Sequence, residues 1–115
     1  MIQSTTSMYK VIQNNLYLTR GDTAVFPLKV TYMDDTEYNF EEGDKVLFTV
    51  KKKTTDGEAL FQKEITNGML FLMPEDTKAL PYGRYCYDVQ LTKQYGTVRT
   101  IIPPHILKIC EEVTF

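Results

Sequence analysis

Apolar and polar side chains alternate through most of this chain, and glycines cut the alternation into short pieces, a pattern that points to an all-β fold. In Ala24-Val25-Phe26-Pro27-Leu28-Lys29-Val30-Thr31-Tyr32 the even positions are apolar and mostly large, whereas Lys29 and Thr31 face the other way. Val46, Phe48 and Val50 alternate with Lys45, Thr49 and Lys51, and Tyr85, Tyr87, Val89 and Leu91 alternate with Arg84, Asp88 and Gln90. Glycines at 21, 43, 57, 68, 83 and 96 stand 11 to 22 positions apart, the punctuation of short strands joined by turns.

Turn chemistry orders these strands. Asn67-Gly68 lies between Phe61-Gln62-Lys63-Glu64-Ile65 and Met69-Leu70-Phe71-Leu72-Met73. Asn-Gly is the favoured pair for a type I′ hairpin because both central residues need positive φ. Asp34-Asp35-Thr36 is expected to turn Tyr32 back toward Tyr38 and Phe40, and Gln94-Tyr95-Gly96 to turn Leu91 back toward Val98 and Thr100. Pro27 cannot donate to a ladder, which places it on an edge or at a bulge. Helix is confined to 74–80, with Pro74 in the first turn, Glu75 and Asp76 near the start and Pro81 beyond the end. We read seven to nine strands, over 15–20, 23–33, 37–40, 45–52, 59–65, 69–73, 83–93, 97–102 and 105–113. Short strands at this spacing suggest one antiparallel β-sandwich or barrel domain over 15–115, preceded by a 1–14 segment that is an N-terminal arm or an added edge strand.

Composition bounds the function. At 115 residues with 43% hydrophobic side chains the chain has enough core to fold without disulfides or metal. A net charge of −2 removes the basic surface that phosphate backbones require, so no nucleic-acid partner is expected. The longest apolar run, Met69 to Met73, is far short of the ~18 residues of a membrane span, and no signal peptide is readable at the start. A cytoplasmic protein without a membrane partner is expected, with Cys86 and Cys110 as two reduced thiols.

The loop from Met73-Pro74-Glu75-Asp76-Thr77 into Gly83-Arg84-Tyr85-Cys86-Tyr87 resembles the corner of immunoglobulin-type sandwiches, where a short turn leads into a strand bearing a core Tyr. With no Trp, and no Cys over 23–33, an antibody-family domain is excluded. Leu18-Thr19-Arg20-Gly21-Asp22-Thr23, Val46 to Lys51, Pro74 to Thr77, Gly83 to Leu91 and Val98-Arg99-Thr100-Ile101 together resemble small immunoglobulin-like proteins encoded by tailed phages and prophages. They are also similar to the N-terminal domain of phage baseplate upper proteins. The resemblance implies an immunoglobulin-like sandwich with a structural role in the tail or baseplate. The chain would be cytoplasmic during assembly and then part of the virion, with other virion proteins or further copies of itself as partners.

No catalytic, cofactor-binding or metal-ligating residue is nominated. Arg20-Gly21-Asp22 is an integrin-type tripeptide if displayed on a mobile loop and a tight turn otherwise; the turn is favoured. His105 has no nominated partner for catalysis. The groups Asp34 to Glu37 and Glu41 to Asp44 lack the spacing of a calcium loop. Glu75 with Asp76, and Glu111 with Glu112, are adjacent acids that a strand would send to opposite faces. The candidate interface residues are Tyr82 and Tyr95, placed in turns, and Pro27 at a strand edge; exposed aromatics would also suit a carbohydrate or cell-surface binding module, the alternative function.

Overall fold

The computed structural model describes residues 10–12, 15–28 and 36–111. The elements are β1 (Lys10–Ile12), β2 (Asn15–Thr19), β3 (Ala24–Pro27), β4 (Lys45–Lys51), β5 (Phe61–Ile65), β6 (Met69–Leu72), α1 (Pro74–Thr77), β7 (Gly83–Thr92) and β8 (Val98–Cys110). Six strands form one sheet in the order β1-β2-β8-β7-β4-β5, and β3 pairs with β6 in a second. The protein is all-β apart from one helical turn. The alternating apolar positions of both sheets enter one cluster, with Leu16, Phe26, Phe48, Val50, Leu70, Leu72, Val89 and Leu107 fully buried. Among them Phe26, Phe48, Val50 and Val89 occupy the even positions of β3 and β4 and the odd positions of β7 that the alternation assigns to the core.

Several expectations need correction. The large sheet is mixed: β2 runs parallel to β8, with Leu16 opposite Leu107 and Leu18 opposite Ile109. The two strands lie near opposite ends of the described chain, so no hairpin dictates their relative direction. Residues 97–102 and 105–113 were expected to be separate strands, yet Val98–Cys110 is continuous. Tyr87 faces His105 and Val89 faces Ile102, so β8 advances three residues where β7 advances two, and Pro103-Pro104 sit in the resulting bulge. A bulge is the place in a ladder where prolines without N–H groups fit. Residues 38–40 carry no strand; side-chain bonds described below hold that segment instead.

At 67–68 the turn is as expected and the hairpin is not. Asn67 has φ 54° and Gly68 φ 71°, the positive pair of a type I′ turn. Only Thr66 and Met69 pair across it, because β5 is claimed by β4 and β6 by β3. The turn thus carries the chain from one sheet to the other, and the Leu28 N–H donates to Gly68 O at 2.6 Å. The 93–97 turn joins β7 to β8 as expected, closed by Lys93 N–H to Thr97 O at 2.8 Å. The helix is shorter than 74–80: after Thr77 the chain passes into turns, while the Asp76 carboxylate accepts the Met73 N–H at 2.7 Å. The start of β7 is fixed by the Tyr85 hydroxyl, which donates to Pro81 O at 2.6 Å. Lys10–Ile12 pair antiparallel with β2; the 34–35 turn and the rest of 1–14 lie outside the described residues.

Two measurements check this description. Gly68→Val puts a β-branched side chain at φ 71°, with its Cβ 3.4 Å from Leu28 O, and is expected to cost about 1–3 kcal/mol in a denaturant titration. Cys86 and Cys110 are unbridged, so thiol titration under denaturing conditions without reductant is expected to find two free groups.

Candidate interaction surfaces

The three residues proposed for an interface lie in three places. Tyr82 precedes β7, and its ring lies under the Arg20 guanidinium, 4.2 Å from carbon to centroid, while Arg20 Nη2 donates to its hydroxyl at 2.9 Å. This contact fixes the Arg20-Gly21-Asp22 turn. Gly21 has φ 81°, its N–H donates to the buried Thr77 Oγ1 at 2.9 Å, and the Asp22 N–H donates to Thr19 O at 3.1 Å. The tripeptide is a structural turn tied to the corner before β7. Tyr95, 79% exposed, tips the turn at the other end of β7. Ten extended residues, on the order of 30 Å, separate the two ends. Pro27 faces out of β3, in register with Met69.

Around Pro27 lies a surface that the sequence reading missed. The core-facing residues of β3 and β6 are Ala24, Phe26, Leu70 and Leu72, so the opposite face carries Val25 against Phe71 and Pro27 against Met69. Phe71 is 48% exposed, and Met73 extends the face as a further exposed apolar residue. A signal was present: Met69 to Met73 is unbroken apolar sequence, the mark of a strand apolar on both faces.

The outer face of the large sheet differs. A groove of about 290 Å³ runs over β4, β5 and β7 and is bounded by Pro104 of the bulge. Gln62 Nε2 donates to Thr49 Oγ1 at 3.1 Å, and Lys51 Nζ is held by Asp56 O at 2.8 Å. Burial pushes the Asp88 carboxyl above its usual range, and the Lys51 charge offsets part of the rise. Tyr87, which lines the groove from beneath, is only 2% exposed.

Asp44 and Asp76, among the acidic candidates, have internal partners. Asp44, with a side chain 3% exposed, accepts from the Tyr38 hydroxyl at 2.6 Å and the Glu41 N–H at 2.9 Å, and pairs with Lys93 at 2.8 Å. Burial alone would raise its carboxyl, but the bonds from Lys93, Tyr38 and Glu41 outweigh it and hold the pKa at about 2. Burial and the bond to Asp44 push Tyr38 up, and the bond to Asp44 does the same to Lys93. The cluster clamps residues 38–44 to the β7–β8 turn. Asp76 pairs with Lys63 at 3.1 Å, and His105 Nδ1–H donates to Pro103 O at 2.5 Å. Among the described residues no group of three His, Cys, Asp or Glu is arranged to hold a metal. Asp34, Asp35 and Glu112 lie outside them.

The clamp has a pH signature. An unfolded Asp titrates near 3.9 and Asp44 at about 2, so its stabilisation is complete above pH ~4 and is lost as pH falls through about 2. Asp44→Asn is expected to cost about 1–3 kcal/mol at pH 7 and to flatten the stability profile between pH ~4 and ~2, as read by chemical denaturation at stepped pH.

No protein-family model, no curated protein and no solved structure matches this chain.

Proposed function

We propose that the chain is a non-enzymatic immunoglobulin-like sandwich that works by protein–protein contact, as a structural or assembly component of a phage or prophage particle near the tail or baseplate. The order β2-β8-β7-β4-β5, with β3 and β6 paired apart, supports the fold reading. The variable-type arrangement, in which an extended G-F-C sheet faces the sheet containing the B and E strands, would have such an order. The Tyr85 bond to Pro81 O has the character of the tyrosine corner of that fold, although Cys86 follows the Tyr directly rather than two places later. The placement in a virion rests on the turn and strand residues that resemble phage proteins.

The observation that carries the function is the apolar outer face of β3 and β6. A surface with Pro27, Met69 and Phe71 on the outer side of β3 and β6, and Met73 beyond them, gains from being covered, at roughly 25 cal/mol per Å² of apolar surface removed from water. The carbohydrate-binding alternative calls for exposed aromatics in a shallow groove. The groove on the large sheet has Tyr87 beneath it and amides, Thr49 and charges around it, while Tyr82 and Tyr95 stand at opposite ends of β7.

Phe71→Ser tests the reading. The exposed position predicts a stability change within about 0.5 kcal/mol, while co-assembly with structural proteins encoded by adjacent genes is expected to weaken at least tenfold, about 1.4 kcal/mol. Undiminished co-assembly would remove this face from the interface, and neighbouring genes of a metabolic operon would overturn the particle assignment.

A further inference from the structure

We propose that the groove on the outer face of the large sheet receives an arginine side chain of a partner polypeptide, with Asp88 as its anchor. The partner's class rests on the assembly reading; the recognition chemistry rests on the groove. The Asp88 carboxylate sits half-buried in the groove lining and makes no hydrogen bond or ion pair among the described residues. A carboxylate withdrawn from water without a donor is costly, and a charged donor relieves that cost most fully. The neighbouring cation does not supply it: Lys51 Nζ is engaged by Asp56 O and stands beyond ion-pair distance of Asp88.

The other polar groups suit a donor-rich guest. Gln62 directs its amide nitrogen to Thr49 Oγ1, which leaves Oε1 free to accept, and the exposed Gln90 amide offers a second carbonyl. Asp88 with two amide oxygens presents acceptors to a group that has only donors. A guanidinium carries five N–H groups in a planar fork that matches a carboxylate in bidentate fashion, whereas an ammonium is a point charge with three. Pro104 supplies apolar surface for an aliphatic stem, and about 290 Å³ admits one side chain but no large ligand. The β8 bulge makes the recess. Asp88 lies between Tyr87 and Val89, opposite the point where Pro103 and Pro104 leave the regular register.

The probe is acetyl-Gly-Arg-Gly-amide, titrated into ¹⁵N-labelled full-length protein at low salt, with the citrulline peptide as a neutral isostere. Saturable shifts of the Thr49, Gln62, Asp88 and Gln90 amides are expected with arginine and not with citrulline. Asp88→Asn keeps the shape and is expected to weaken binding at least tenfold, with its melting midpoint recorded to show that the fold persists. Lys51→Met removes the competing charge and is expected to tighten binding. The proposal is overturned by an absence of saturable shifts, by shifts centred on residues 41–44, or by equal binding to Asp88→Asn. The titration contains no particle protein, so its failure would leave the Phe71 co-assembly result standing, and loss of the assembly reading would leave arginine binding measurable.

Discussion

Strand β7 is the constraint on which the other strands depend. It is hydrogen-bonded on both sides, to β4 from Lys45–Thr92 through Lys51–Cys86 and to β8 from Gly83–Ile109 through Thr92–Val98. Away from the bulge opposite Asp88 its backbone groups are paired inside the sheet, and Tyr85, Tyr87, Val89 and Leu91 are buried in one row. Its start is fixed as well: Tyr85 reaches back to Pro81 O, and Thr77, immediately upstream, accepts the Gly21 N–H. That last bond joins the turn between β2 and β3 to the segment between β6 and β7. The first crossing of the chain between sheets is thereby tied to a later one.

With β7 regular, the irregularity falls on β8. Pro103 and Pro104 lack N–H groups and would break a uniform ladder; the register slips between Tyr87 and Val89, and again between Val89 and Gln90, absorb extra residues and keep Leu107 and Ile109 facing the core. A bulged strand bends and twists more strongly. Beyond the bulge, residues 107–110 have a second edge, which β2 takes in parallel. The same slip places Asp88 opposite the proline pair, at the recess that Pro104 bounds.

Alternation and turn chemistry made the buried rows of β3, β4 and β7 legible in the sequence, because a period of two is set by single residues and their neighbours. The type I′ geometry at Asn67-Gly68 was legible for the same reason. Partner choice was not. Whether β6 continues the ladder of β5 or joins β3 depends on competition between β4–β5 and β3–β6, which no local pattern records. The continuity of β8 was hidden because Pro103-Pro104 read as a break, and only the register of β7 shows that the ladder passes around them. Of the three candidate interface residues, Pro27 lies on the apolar face, Tyr82 is occupied by Arg20, and Tyr95 stands apart. Asp88 is not legible as a site residue because an alternating Asp on a strand looks like any solvated position; the groove it lines is completed by Pro104 of the bulge and by Thr54, Gly57 and Ala59, which are distant in sequence.

The two surfaces make different demands on what covers them. The outer face of β3 and β6 is apolar and non-directional, so any complementary apolar surface stabilises it, and specificity there must come from shape. The groove over β4, β5 and β7 is small and polar, and a partner without a donor in the right place would leave Asp88 desolvated and unpaired. The faces belong to separate sheets packed against one core, which turns their outer surfaces away from each other. A two-fold dimer through either patch would cover that patch on both copies and leave the other face open on both. Under the assembly reading, a module with two unlike outer faces is suited to sitting between two different neighbours. The apolar face would supply area, and the groove would fix orientation.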